Sequence, residues 1–355
     1  MTSFIPRAAF PTLDSLPRSY YLGHHAAGLA KMRTLLSQID LVIECRDYRI
    51  PLTSRNPMFE DVLEGRERIV VYTKKDLGSA DNREEDGRRH KMLRQFYHPS
   101  PVCFSDTKSH ADTRRILDII RTRSAARNNL TGSHCMVVGM PNVGKSTLLN
   151  ALRATGVRKG KVAHTGAQPG VTRKIGTGVK IVDNTATGEG GGDVYLLDTP
   201  GVFIPYVPSA TAMLVLALCG SVKDTVIPAF TLADYLLYNI NLQPTPHGPE
   251  VYADYHSPTN SITELLDAMA RKIGRLQKGG EPDLDGTAMW MVQRWRNGHL
   301  GRFLLDDVSE EALEAYRRED GEKPSSVNQA RKAGKEVVRQ RAKARSKRAG
   351  GIGEG

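Results

Sequence analysis

Residues 139–146 read G-M-P-N-V-G-K-S, and no other stretch restricts the fold of this chain so tightly. The pattern G-x-x-x-x-G-K-[ST] belongs at a junction where a strand ends and a helix begins, because that junction turns backbone N–H groups toward a phosphate. The flanks agree: C-M-V-V-G (135–139) is a short apolar run, and Lys145 to Arg153 has helical character. Two more motifs fix the order of the parts. T-K-K-D (73–76) lies well upstream of this loop and D-T-P-G (198–201) lies downstream. In most guanine-nucleotide switches the base-reading motif comes after the phosphate loop. Here it comes first, so the order of the motifs is abnormal.

The remaining apolar runs support a sheet. D-L-V-I-E-C (40–45), R-I-V-V-Y (68–72), P-V-C-F (101–104), V-K-I-V-D (179–183) and V-Y-L-L-D (194–198) are nearly continuous in apolar residues, the signature of strands buried on both faces. Helical stretches such as Ala111 to Arg123 fall between them, which predicts an α/β fold with a mostly parallel sheet and helices on both faces. D-N-T-A-T-G-E-G-G-G-D (183–193) reads as an extended hairpin loop. After Pro205 the character changes, and residues 209–219, 231–240, 260–276, 284–298 and 309–318 read as helices separated by Pro- and Gly-rich breaks. The expected organisation is a segment 1–18, a permuted P-loop domain over 19–205, a small all-α domain over 206–320 and a basic, flexible tail over 321–355.

Charge and cysteine content narrow the class. The formal net charge is +11 and the isoelectric point about 9.5, which favours an anionic partner, nucleic acid or an acidic lipid surface. Lys and Arg dominate from Lys323 to Arg348, and apolar residues such as Val337 and Val338 are too few there for a deep membrane-binding face. Cys45, Cys103, Cys135 and Cys219 form no C-x-x-C pair and have no zinc spacing with histidine, so they are expected as buried free thiols of a reducing compartment. The longest apolar run, Ala210 to Gly220, is about half of a bilayer span and reads as a buried helix. Residues 1–18 carry Arg7 and Arg18 against the single acid Asp14, a composition compatible with a short organelle-targeting segment, although three prolines interrupt any amphipathic helix.

Each motif has a chemical reason. Gly139 and Gly144 let backbone wrap a phosphate without Cβ clashes, so the N–H groups of Val143, Gly144, Lys145, Ser146 and Thr147 can point at it. Lys145 is placed to neutralise β and γ phosphates, and the Ser146 hydroxyl to ligate Mg²⁺. Asp198 is placed to hold the same Mg²⁺ through water, and Gly201 to bring its N–H to the γ-phosphate. Between these motifs, Thr172 in P-G-V-T-R (169–173) is the candidate second hydroxyl on Mg²⁺, released when the γ-phosphate leaves. Asp76 can accept two hydrogen bonds from guanine N1 and N2, a donor pair that adenine lacks. The Lys74 stem can lie over the base plane. Thr73 stands where Asn is usual, and its hydroxyl can still tie this loop to the phosphate loop. Ser105 and Asp106, in S-D-T-K (105–108), are candidates to offer backbone N–H groups to guanine O6.

Taken in order, these motifs resemble the YlqF/YawG family of circularly permuted ribosome-assembly GTPases. D-L-V-I-E-C-R-D-Y-R-I-P-L-T-S-R-N-P (40–57) is similar to the family's N-terminal signature, and Y-Y-L-G-H-H-A-A-G-L-A-K-M (20–32) to its opening helix. The likeness continues through L-A-L-C-G-S-V-K-D (216–224) and L-A-D-Y-L-L (232–237). The short N-terminal extension and long basic tail look most like a mitochondrial branch.

The resemblance implies GTP as ligand, with Mg²⁺ and K⁺. Asn142 matches the family's phosphate-loop Asn, which implies a K⁺ ion that does the charge work of an arginine finger. Val202 and Phe203 follow Gly201, so no Gln is available to orient water, as the family leads one to expect. Lys145, Asn142, Thr172 and Gly201 would then carry the reaction. Slow intrinsic turnover, stimulated by K⁺ and a ribosomal partner, is implied.

The implied function is assembly of the large ribosomal subunit through its rRNA, in the mitochondrial matrix, by a monomer with no DNA partner. Peripheral contact with the inner membrane by charge alone is compatible with the tail. The readings weighed against it are a bacterial-type or cytosolic assembly GTPase, an ATP-using kinase with a similar loop, and a membrane-associated scaffold that binds nucleotide without turnover.

Overall fold

The computed structural model describes residues 4–11, 13, 16–17, 23–63, 65–79, 81–106, 108–126, 132–158, 160, 178–183, 192–204 and 207–321. Thr172, most of the 183–193 loop and the tail beyond Gly321 lie outside the described residues.

A six-stranded sheet organises the molecule. Its strands are β1 (Leu41–Asp47), β2 (Arg68–Thr73), β3 (Val102–Ser105), β4 (Ser133–Gly139), β5 (Val179–Val182) and β6 (Val194–Asp198), in the spatial order β3-β2-β1-β4-β6-β5. Every neighbouring pair is parallel except β5 and β6, which are antiparallel, as strands joined by a hairpin are. All seven residues of β1 are buried, including the charged Glu44, Arg46 and Asp47, because β1 is paired on both edges and covered on both faces.

Among the described residues, the helices of this domain are α1 (Gly23–Leu35), α2 (Met58–Val62), α3 (Lys75–Gly78), α4 (Arg83–Phe96), α5 (His110–Ala125) and α6 (Lys145–Gly156). Their starts follow local chemistry. Asn82 accepts the N–H groups of Glu84 and Glu85 at the head of α4, and three acids sit in its first turn, opposite the positive end of the helix dipole. Ser109 caps α5 by accepting the N–H of Asp112.

Strand order places the site. From β1 the chain crosses outward to β2 and β3, then returns to β4 on the other side of β1 before reaching β5 and β6. The order reverses between β1 and β4, so a crevice opens beyond the carboxyl ends of these two strands. Asp47, Thr73, Ser105, Gly139 and Asp198 are the last residues of β1, β2, β3, β4 and β6. T-K-K-D, S-D-T-K, the phosphate loop and D-T-P-G therefore emerge at the same, carboxyl-terminal end of the strands, while P-G-V-T-R lies outside the described residues.

The helical region follows as α7 (Ala210–Leu218), α8 (Ala229–Asn241), α9 (Ile262–Ile273), α10 (Leu284–Arg296) and α11 (Glu310–Gly321), with bounds within three residues of the sequence expectation. Helix α7 is buried without a break from Met213 to Leu218, because it is apolar all round. It lies in one buried cluster that runs from Ile43, Val71 and Val137 of the sheet through Leu216 to Leu265 and Trp295. No polar layer separates the sheet from the helices, so the helical region is held at a fixed position relative to the nucleotide-motif edge.

The other sheet face is covered by α1 around Met32 and, farther out, by α4 around Leu93. Near the amino terminus, Arg7 pairs with Asp234 of α8 at 2.7 Å and Phe10 meets Tyr235 edge-on at 5.1 Å. Residues of the 1–18 segment thus pack on the helical region. All four cysteines are buried thiols, none of them in a disulfide. No helix among the described residues is long and apolar enough to cross a membrane.

Candidate nucleotide site

The loop from Gly139 to Lys145 folds as a cradle because of three residues with positive φ. Gly139 (φ 151°) runs so close to β1 that a Cβ would collide with the Cys45 carbonyl oxygen. Asn142 (φ 58°) and Gly144 (φ 92°) occupy the left-handed region and turn the chain back into α6. Lys145, in the first turn of α6, is buried and donates to Met140 O at 2.8 Å and Gly139 O at 3.3 Å, so its ammonium is held inside the loop. Burial lowers its pKa, and the charge of Asp198 works against that shift.

Ser146 Oγ donates to Asp198 Oδ2 at 2.5 Å. A hydroxyl and a carboxylate converging beside a phosphate loop fit Mg²⁺, which takes one or two protein oxygens and fills its remaining positions with water and phosphate. No group of three or more His, Cys, Asp or Glu side chains suited to a metal exists among the described residues. Gly201 belongs to the same corner. A Cβ there would lie 2.5 Å from Pro141 Cα and 2.6 Å from Pro141 N, so only glycine lets the D-T-P-G turn lie against the phosphate loop. Val202 and Phe203, which follow, are buried, and Val202 N donates to Gly139 O at 3.2 Å.

The base-reading loop is fastened to the cradle by two side chains. The Thr73 hydroxyl, buried at the end of β2, is in hydrogen-bond reach of Val143 O and, at 3.1 Å, of Arg46 O. Lys74, itself at φ 56°, donates to Asn142 O at 2.7 Å and to Asp47 Oδ2 at 2.8 Å. Asp47 also receives Arg49 through two bonds, Nη2 to Oδ2 at 2.7 Å and Nε to Oδ1 at 3.0 Å. Burial opposes a charge on Asp47, but Arg49 and Lys74 outweigh it and hold the carboxyl well below the usual range.

A cleft of about 280 Å³ opens beside these groups. Thr73, Lys74, Asp76, Asp106, Asn142, Gly144 and Thr147 line it. Asp76, in α3, is thus brought against the cradle from 68 positions upstream of Gly144. Desolvation raises its pKa, and the neighbouring Asp106 charge raises it further.

The opposite wall comes from the helical region: Gln293, Arg296 and Asn297 at the end of α10, with Cys219. Arg296 donates to Ala217 O at 2.8 Å and Leu218 O at 2.9 Å, satisfying the last carbonyls of α7, and pairs with Asp224 at 2.7 Å. The turn that it holds presents Gly220 O to the side-chain amide of Asn142, at 3.2 Å.

The candidate residues Thr73, Lys74, Asp76, Asp106, Asn142, Gly144 and Thr147 therefore line one cleft, and Val143, Lys145, Ser146, Asp198 and Gly201 stand around the cradle next to it. Ser105 does not line the cleft; its side chain is buried at the end of β3. The N–H of Asp106 donates to Asp112 Oδ2 at 3.2 Å. Sequence reasoning assigned no role to Asp47, Arg49 or Arg296. Two opposite charges closing an apolar strand, Asp47 and Arg49 two positions apart, were the available signal for the first pair. Nothing local marks Arg296.

A model of the 50S ribosome-binding GTPase family matches residues 134–249. Mitochondrial GTPase 1 of Schizosaccharomyces pombe is 34% identical over 88% of this chain and 95% of its own length. Mitochondrial ribosome-associated GTPase 1 of Xenopus tropicalis is 32% identical over 86% of this chain and 99% of its own. Among solved structures, GDP-bound TM YlqF superposes with a TM-score of 0.50 at 22% identity, covering 78% of this chain and 98% of that one, a likeness of fold.

Proposed function

This chain belongs to the family of mitochondrial GTPases 1, circularly permuted GTPases of the YlqF type, and on that premise we propose that it hydrolyses GTP as an assembly factor for the large subunit of the mitochondrial ribosome, in support of mitochondrial translation. It is a mitochondrial GTPase. What supports the reading most is one observation: T-K-K-D and the phosphate loop line a single cleft at the switch point of the sheet, and D-T-P-G packs against the phosphate loop beside it.

In this reading Lys145 and the N–H groups from Val143 to Thr147 hold the β and γ phosphates. Asp76 accepts the guanine N1 and N2 protons, and the Lys74 stem covers the base while its ammonium stays fastened to Asp47 and Asn142. Asp106, on the cleft wall, flanks the base edge, whereas the Ser105 side chain is buried at the end of β3. Ser146 and Asp198 hold Mg²⁺, with Thr172 as the second hydroxyl, and Gly201 offers its N–H to the γ-phosphate. Asn142 holds K⁺ beside the phosphates. Bound there, the two cations supply the positive charge that the transition state needs. Val202 and Phe203 are buried, so neither carries a polar group to the attacking water. Turnover without a partner is accordingly slow.

The protein works as a monomer in the matrix. It docks on large-subunit rRNA in the GTP state, helped by the tail over 321–355, and leaves after Thr172 and Gly201 lose the γ-phosphate. The tail's charge also gives peripheral contact with the inner membrane. The decisive measurement is GTP hydrolysis with and without purified large subunits, in K⁺ and then in Na⁺. Stimulation by subunits that requires K⁺ is expected. Equal rates in all four conditions would remove the assembly reading.

A further inference from the structure

The tail is not the chain's sole concentration of positive charge. From Arg88 to Arg123 there are nine Lys and Arg against three acids; four of the nine lie on α4, four on α5, and Lys108 between them. Strand β3 pairs with β2 and ends the sheet, so among the described strands its outer edge is open. Its residues alternate between faces. Cys103 joins the cluster of Ile116 and Ile120 from α5, whereas Val102 and Phe104 join that of Leu93 from α4 and Tyr97 just after it. The two helices therefore cover opposite faces and stand as walls on either side of the open edge. Between them lies a cleft of about 340 Å³ with β3 as its floor, Arg94 on one wall and Arg115 on the other.

We propose that this groove along the outer edge of β3 is a docking surface for the phosphate backbone of RNA. The proposal deepens the assembly reading by naming where on the GTPase domain the rRNA sits. Arg88, Lys91 and Arg94 of α4 and Arg114 and Arg115 of α5 are exposed. None of the five has an ion-pair partner among the described residues, whereas Arg89, Arg121 and Arg123 on the same helices pair with Glu85, Asp118 and Glu67. Unneutralised cations at this density repel one another, a cost that an anion relieves. Arg94 lies over the ring of Phe104 at 5.2 Å, both residues line the groove, and no carboxylate among the described residues pairs with the guanidinium, whose N–H fork suits phosphate oxygens.

A polyphosphate fits better than the other polyanions. Strand β3 is four residues long and flanked by charge, the arrangement by which sheets discourage addition of a peptide strand. A flat lipid surface does not reach between two helices. An RNA backbone is narrow, flexible and charged at every step.

The test uses the full-length protein and a fluorescent RNA hairpin, titrated from roughly 50 to 200 mM salt. In Arg94→Gln/Arg115→Gln the affinity is expected to fall about tenfold, and the slope of log K against log salt to shrink by about 1.4 to 1.8, the share of two phosphate contacts. Arg94→Glu/Arg115→Glu is expected to lose more. Arg89→Gln/Arg121→Gln, which removes cations that are already paired, is expected to leave both quantities unchanged, and GTP affinity and melting temperature serve as controls for folding. Affinity and slope equal to wild type in the Gln and Glu variants would overturn the proposal. So would a wild-type protein that does not bind the hairpin. Unchanged RNA binding with weaker association to large subunits would mean that the groove takes a protein instead. Large subunits that stimulate wild type and the variants alike, with RNA affinity also equal, remove the groove and leave the assembly reading intact. Unstimulated wild type with salt-sensitive, Arg94-dependent RNA binding does the reverse.

Discussion

Arg296→Met isolates the link between the helical region and the phosphate loop. Methionine keeps the apolar stem of the side chain and removes the guanidinium. The lost bonds are those to Ala217 O at 2.8 Å, Leu218 O at 2.9 Å and Asp224 at 2.7 Å. The Arg296 side chain is 9% exposed, so water does not easily replace it at the two carbonyls, whereas Asp224, at 30%, can rehydrate. Two charge-assisted bonds at a helix C-terminus and one half-buried ion pair together put the loss of stability at about 2–4 kcal/mol. A second, smaller effect follows at a distance. The turn released by the substitution carries Gly220, whose carbonyl fixes the Asn142 amide in the phosphate loop. Loosening one such bond is worth about 1 kcal/mol, or roughly fivefold in nucleotide Kd. Thermal unfolding reports the first effect, and titration with a fluorescent GTP analogue, well below the melting transition, reports the second. Arg294→Met is the control, because Arg294 lies over Trp290 on the same helix and holds no carbonyl of α7. A clear fall in melting temperature with GTP affinity unchanged would refute the idea that α10 supports the phosphate loop.

Two further outcomes follow from the same geometry. Gly201→Ala brings a Cβ to 2.5 Å from Pro141 Cα, where carbon atoms prefer about 3.5–4.0 Å, so the two loops must part by about 1 Å; single-turnover GTP hydrolysis is expected to fall on the order of 100-fold, and a wild-type rate would show that the D-T-P-G turn does not need this approach. Desolvation and then the Asp106 charge raise the Asp76 pKa, and guanine needs the ionised form, so GTP affinity is expected to weaken on acidification through that raised pKa, at a pH above that of an ordinary carboxylate, by about tenfold per unit below it; Asp76→Asn is expected to bind GTP weakly and without this acid limb, and an identical limb in the variant would assign the titration elsewhere.

The strands were legible because burial on both faces leaves little room for polar residues, and runs such as R-I-V-V-Y betray themselves. The limits of that signal are visible at β1. The sequence places its end at Cys45, yet the strand runs on through Arg46 to Asp47, because Glu44, Arg49 and Lys74 neutralise charges that composition alone would assign to a loop. Helix α4 gave no apolar stripe to read, since Met92, Leu93 and Phe96 are all that it turns toward the core. Its start rests instead on the cap by Asn82 and the acids that follow. The phosphate loop, Asp76 and Asp198 were legible for another reason: their chemistry demands particular residue types at fixed spacing. The α10 wall of the cleft was not, because Arg296 finds its partners 72 to 79 positions away. The groove beside β3 was hidden likewise. Its cations are scattered over two helices, whereas those of the tail stand in one unbroken stretch.

The permuted strand order also has a consequence for synthesis. Strand β1 is the first to leave the translating ribosome and one of the two in the middle of the sheet, but its neighbour β4 begins only at Ser133. At about 5–20 residues per second, the intervening stretch of roughly 90 residues keeps one flank of β1 unpartnered for about 5–20 s. Through that interval a nascent half-sheet offers Leu41, Ile43 and Cys45 to any passing chain. Slower decoding between positions 48 and 132 would lengthen that interval and is expected to lower the yield of active protein.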